Sequence, residues 1–239
     1  MKHSIKITAI VLLVLILDQT LKIWVKTTLA HGDSIFLFGW DRAQIHFVEN
    51  PGMAFGLELG GEYGKLALSL FRILAVSFLI YYLRILIKNK APFGLLFSFA
   101  CILAGAIGNI IDSAFYGLIF SESCYHCGIA ELFPEGGGYA GFLHGRVVDM
   151  LYFPVLRGNY PDWFPFFGGD SFTFFSPVFN LADTAITVGV LYILLFQRSF
   201  FSTHHTTEEN TVTSLEPPPV KAESNSDAEE QVEQPTPVS

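Results

Sequence analysis

Residues 8–17 read TAIVLLVLIL, ten positions with one hydroxyl and no charge. A helix on the surface of a soluble core would show a polar face at 3.6-residue spacing, and this stretch has none. It sits in an apolar run of about 5–25, long enough for the roughly 20 helical residues that cross a bilayer. Three further runs share the pattern, at about 66–87, 92–111 and 178–196. The pattern predicts an α-helical membrane protein with four transmembrane helices. Composition agrees, because 51% of the 239 residues are hydrophobic and 15% are charged, which is too apolar for an ordinary soluble domain. The first run is not expected to be a cleaved signal peptide. Asp18, Gln19 and Lys22 follow it where a small-residue cleavage site belongs.

Basic residues set the orientation. Lys2 and Lys6 precede the first run, Arg84, Lys88 and Lys90 fill the link between the second and third, and Arg198 ends the fourth. All fall on one side, which the positive-inside rule makes cytoplasmic, so both termini are expected there. The long segments of about 27–65 and 113–177 then lie outside. Alternating and aromatic residues between Gly, Pro and Asn turns in GDSIFLFGWDRAQIHFVENPGMAFG (32–56) predict short strands, a small extracytoplasmic β-rich cradle over about 30–65.

The net charge of −8 is concentrated at the end of the chain. From Ser202 onward there are eight acidic residues and one lysine. Rich in Pro, Glu, Ser and Thr, residues 201–239 are expected to form a disordered acidic cytoplasmic tail. The body, about 1–200, is nearly neutral, and no Lys/Arg cluster suggests a nucleic-acid partner.

Polar residues in the apolar runs converge at one depth. With a rise of about 1.5 Å per residue, Asp18 and Lys22 come near the outer end of the first span. Asn109 and Asp112 come near the outer end of the third, and Asn180 and Asp183 in the first turns of the fourth. The i,i+3 and i,i+4 spacings put each pair on one helix face. Gly105, Ala106 and Gly108 permit close helix approach. Two readings remain open on these residues alone: polar glue between helices, or a site. In HGRVVDMLYF (144–153), Asp149 is expected in a loop at the membrane surface.

The blocks DQTLK (18–22), ENPGMAFG (49–56), GAIGNIID (105–112), GRVVDM (145–150) and FNLADTAITVG (179–189), in this order around four spans, resemble the lipoprotein signal peptidases, signal peptidase II. The resemblance covers about 5–197. It implies a membrane aspartic endopeptidase of the bacterial inner membrane, active near the outer leaflet. Such an enzyme cleaves diacylglyceryl-modified prolipoproteins before the lipidated cysteine. It places the catalytic dyad on Asp149 and Asp183, with no cofactor and no metal. Supporting or substrate-contacting roles carry over to Asp18, Lys22, Asn50, Gly52, Asn109, Asp112, Asn180 and Ala182. Membrane lipid and prolipoprotein are the implied partners, and a monomer is expected because the site lies within one bundle.

Two departures stand out. The family pattern continues Gly-Asn-x-x-Asp with arginine, whereas this chain has Ser113. Arg146, three residues before Asp149, is the candidate to supply that guanidinium. The chain also carries long periplasmic inserts of about 113–145 and 154–177, expected either to roof the site or rest on lipid, or to be lineage-specific decoration. Cys124 and Cys127, near His126 and His144, suit a local disulfide or two thiols better than a zinc site. They also support the rival reading, a four-span thiol oxidoreductase, which leaves Asp149 and Asp183 unexplained. A small transporter with a buried ion pair would need polar groups in the inner halves of the spans, which are nearly free of them.

Overall fold

The computed structural model describes residues 2–51, 61–154, 156–174 and 177–197. Gly52, Arg198 and the expected tail lie outside these residues. Among the described residues three helices are long and apolar enough to cross a membrane: α1 (Lys2–Lys26), α2 (Gly61–Lys88) and α3 (Phe93–Ile111) with its continuation to Ile119. That continuation is a π-helical turn at Asp112–Tyr116, then a single turn, α4 (Gly117–Ile119). The last helix, α5 (Leu181–Phe196), is apolar but has 16 residues.

The helix boundaries differ from expectation at two places, each for a local reason. The fourth run was expected to be helical from 178. Instead Asn180 caps α5, and Val178–Phe179 form a strand, β6. The third run does not stop at 111, because the π turn carries the helix on.

α3 packs against α1, α2 and α5 and is the centre of the bundle. Leu95, Leu96, Ala100, Leu103 and Ala104 are buried on it. By contrast α1 and α2 leave Leu12, Leu13, Ile16, Leu17, Phe71, Leu74 and Phe78 exposed. Such a continuous apolar surface suits hydrocarbon and not water. The α3–α5 crossing requires missing side chains. A Cβ on Gly105 would stand 2.2 Å from the Ala182 carbonyl oxygen, and one on Gly189 would stand 2.6 Å from that of Ser98. Gly105→Ala is expected to force these backbones apart and cost about 1–3 kcal/mol, the usual range for overpacking. Thermal unfolding in detergent would register it as a lowered midpoint, and an unchanged midpoint would contradict the close crossing.

Beside the end of α1 lies a four-stranded antiparallel sheet in the order β1-β2-β3-β6, with β1 at Ser34–Phe36, β2 at Gln44–Asn50 and β3 at Val147–Tyr152. A hairpin, β4 (Leu156–Asn159) and β5 (Ser171–Phe174), stands apart from it. Side chains alternate across a strand. Accordingly Val148 and Met150 join Phe47, Val25, Leu29, Tyr116 and Phe120 in an apolar core, while Val147 and Asp149 face the other way. In register, Val48 opposes Asp149 and Asn50 opposes Val147. Asp149 is thus a buried strand residue, 3% exposed, and not the surface-loop residue its sequence suggested.

The 113–145 insert is built into the protein. Tyr116 and Phe120 are buried in the sheet core, and Tyr139 packs against it. Cys124 and Cys127 are joined in a disulfide, so neither sulfur is a thiolate ready for a metal.

Candidate active site

Asn180 is the first determinant of the site. Asparagine is a favoured N-cap because its side-chain oxygen accepts an unpaired N–H of the first turn. Here Asn180 Oδ1 accepts from the Asp183 N–H at 2.9 Å. The neighbouring unpaired N–H, that of Ala182, donates to Asp18 Oδ1 at 2.9 Å. Capping by Asn180 fixes Asp183 in the first turn of α5, where the helix dipole favours a negative charge.

Hydrogen-bond logic then assigns both bridging amides. Because Asn180 Oδ1 faces an N–H, its Nδ2 must donate, and it does so to Asp149 Oδ1 at 2.7 Å and to Asn109 Oδ1 at 3.2 Å. Asn109 Oδ1 also accepts from the Lys22 ammonium at 3.0 Å. Its Nδ2 therefore donates, reaching Asp183 Oδ1 at 2.8 Å. The second oxygen of Asp149 accepts from Asn50 Nδ2 at 3.2 Å. Two asparagines thus span the two carboxylates, with a third on the outer side of Asp149.

Beneath them lies a buried charged layer. Lys22 Nζ contacts Asp18 at 2.9 Å and Asp112 at 2.8 Å, and all three side chains are at most 1% exposed. Asp112 Oδ2 also accepts from the Val148 N–H at 3.3 Å. β6 pairs with β3 only at Leu151 and Tyr152, which leaves that stretch of the strand edge to Asp112. Gln19 donates to Asp18, to Asp112 and to the Gly108 carbonyl. Asp112 does not lack a cation, therefore: Lys22 is its partner.

Asp149 and Asp183 open into one cavity of about 370 Å³. Asn50, Asn109 and Arg72 complete its polar wall, and Phe71, Ala75 and Ile186 contribute apolar surface. Burial pushes the Asp149 carboxyl up to about 7, and the charge of Asp183 adds to the rise. Hydrogen bonds from Asn50 and Asn180 oppose it. The site therefore sets a carboxyl group that keeps its proton more readily than usual beside a second one in a shared cavity. That is the pairing needed to polarise a carbonyl and activate water.

Of the residues singled out in sequence, the structure brings together Asp149, Asp183, Asn50, Asn109, Asn180, Asp18, Lys22 and Asp112. Ala182, fully buried, packs where α5 meets Gly108 of α3. Arg146 is not brought to the dyad. Its guanidinium reaches Glu49 at 3.6 Å and Glu122 at 3.2 Å, and stacks over Tyr139. Along an extended chain, three residues is an odd step that lands on the opposite face from Asp149. Glu49 is shared with buried Lys26, which also bonds Ser123 at 2.7 Å, so this second charged cluster ties the insert to α1 and β2. Arg72, absent from the sequence-derived set, lies in the cavity, with Nη1 donating to Ser113 Oγ at 3.3 Å. The available signal was a lone arginine inside an apolar span.

A family model described as signal peptidase (SPase) II matches residues 10–200. A lipoprotein signal peptidase of Porphyromonas gingivalis is 54% identical over 190 residues, covering 79% of this chain and 81% of that protein. Another from Amoebophilus asiaticus is 39% identical over 198 residues, covering 81% and 78%. Two solved structures of a bacterial membrane enzyme share the fold, with TM-scores of 0.53 and 0.51 at 22% and 24% identity. They cover 83% and 81% of this chain, and 90% and 92% of their own.

Proposed function

This chain belongs to the signal peptidase II family, and from that premise we propose that Asp149 and Asp183 are its water-activating dyad. The activity is the family's: an aspartic endopeptidase of the bacterial inner membrane removes signal peptides from prolipoproteins. In our reading the cut falls before the diacylglyceryl cysteine, and α5 is a fourth span. The termini are cytoplasmic, and the cavity lies near the outer leaflet, where lipidated substrate arrives laterally. The described polar groups of the site lie within one bundle, which supports the monomer as the working unit. The thiol oxidoreductase alternative finds no support, since the relatives are peptidases.

The observation that carries this reading is the single cavity shared by two carboxyl groups, with Asp149 raised to about 7. Asp149, raised to about 7, holds the proton, and Asp183 is the base. Asp183 takes a proton from water as the water oxygen attacks the scissile carbonyl carbon. Asp149 donates to the carbonyl oxygen. The tetrahedral intermediate then collapses: Asp183 passes its proton to the departing amide nitrogen, the C–N bond breaks, and Asp149 recovers a proton from a hydroxyl. Asn50 and Asn180 hold Asp149 in place, and Asn109 holds Asp183.

A cleavage assay on a synthetic diacylglyceryl peptide tests both substrate and dyad. Cleavage is expected before the lipidated cysteine, and not in the unlipidated peptide. Above a pH of about 7, where Asp149 loses its proton, kcat/KM is expected to fall about tenfold per unit. A rate independent of pH from about 6 to 9 would remove Asp149 as the acid. The same shift acts on stability with a definite sign. The folded state binds a proton more tightly than the unfolded chain, so this group's contribution declines as pH rises from 3.8 to about 7 and is level above that.

A further inference from the structure

We propose that Arg72 is the charge-setting residue of the dyad: brought into the cavity by α2, its guanidinium favours ionisation of the aspartate pair and so sets the pH range in which one of the two is ionised. The inference deepens the dyad reading and rests on it.

Arg72 interrupts an apolar run, ALSLFRILAVSF at 67–78. Its neighbours Phe71 and Leu74 are 68% and 70% exposed on what is otherwise a lipid-facing helix. A charge placed in such a span is costly and survives where it faces a protein interior or a polar cavity. Arg72 meets that condition by turning into the cavity that holds Asp149 and Asp183. Among the described residues lining that cavity it is the only cation.

Lys22 does not fill the role. It is committed to Asp18 and Asp112, two carboxylates against one ammonium; its hydrogen-bonded path to the dyad runs through the neutral Asn109, and its charge is the last and smallest of the influences on Asp149. The charged groups around Arg72 are Asp183 from α5, Asp112 from the π turn and Asp149 from β3. Its bond to Ser113 anchors the guanidinium to the π turn. Ser113 Oγ in turn donates to the Asn109 carbonyl. A positive charge here favours the first ionisation of the dyad and also eases the second. Its removal therefore raises both ionisations.

The test is the pH profile of kcat/KM for purified variants on a diacylglyceryl peptide. Arg72→Gln is expected to move both limbs to higher pH by about one unit or more, in addition to slowing cleavage. Arg72→Lys, which keeps the charge, is expected to leave both limbs in place. Ser113→Arg added to Arg72→Gln returns a guanidinium to the neighbouring position and is expected to bring the limbs back. A slower R72Q enzyme with unmoved limbs overturns the proposal, since a residue that only grips substrate or packs would give that result. So does an R72Q enzyme indistinguishable from the parent. If R72Q does not accumulate, the R72Q/S113R double variant decides. Restored accumulation with parental limbs supports the assignment, and failure to restore overturns it. Failure of the dyad reading itself is a separate result, because it would leave the Asp149→Asn or Asp183→Asn protein active.

Discussion

Asp183→Asn is expected to produce a folded protein that accumulates uncleaved prolipoprotein, with kcat/KM lowered about a hundred- to ten-thousand-fold, the range spanned by acid–base groups. The amide can still accept from Asn109 through its oxygen, as the carboxylate does at 2.8 Å, so the helix–helix connection survives while the base is lost. If Asp183 were only glue, this substitution would be tolerated. Asp149→Asn should be equally inactive and less stable. Both oxygens of Asp149 accept from amide donors, Asn180 at 2.7 Å and Asn50 at 3.2 Å. An asparagine at 149 offers one acceptor and must turn its own NH₂ towards a donor. Measuring precursor accumulation together with the thermal midpoint separates the two positions. Retained cleavage in either variant would end the dyad assignment.

Lys22→Met is expected to have the largest effect on stability. The ammonium is completely buried between Asp18 and Asp112, and a third contact reaches Asn109. Methionine fills much of the volume but leaves two buried carboxylates without a cation. Breaking a buried pair from one side costs about 3–5 kcal/mol, which is a large share of the stability of a single domain. The variant should accumulate poorly in membranes. Adding Asp112→Asn should recover part of the loss by removing one stranded charge. A Lys22→Met protein as stable as the parent would show that the ion cluster contributes nothing to the bundle.

Much of this site was legible in the chain. Asp18, Lys22, Asn109, Asp112, Asn180 and Asp183 were visible because charged residues are conspicuous in apolar runs. Helix rise alone put them at one level. The strands around Asp149 were less legible. VVDMLY carries apolar side chains on both faces, and no alternation marks a strand buried on both sides. The error at Arg146 follows from that, since a spacing of three means one face in a helix and opposite faces in a strand. Asn180 looked like a residue inside a span, yet it is the cap that starts α5 two residues after a strand ends. Arg72, also a charge in an apolar run, was passed over because nothing near it in sequence marks what it faces. Its partners, Ser113 and the two aspartates, are 41 or more positions away in sequence, and only the packing of α2 against α3 brings them near.

Asn180 is at once the start of the final helix and the bridge to Asp149. During biosynthesis Asp149 leaves the ribosome more than thirty residues before Asp183, and until α5 docks there is half a dyad and no proteolysis. On the dyad reading, docking of the last helix, Leu181–Phe196, and the onset of activity are the same event.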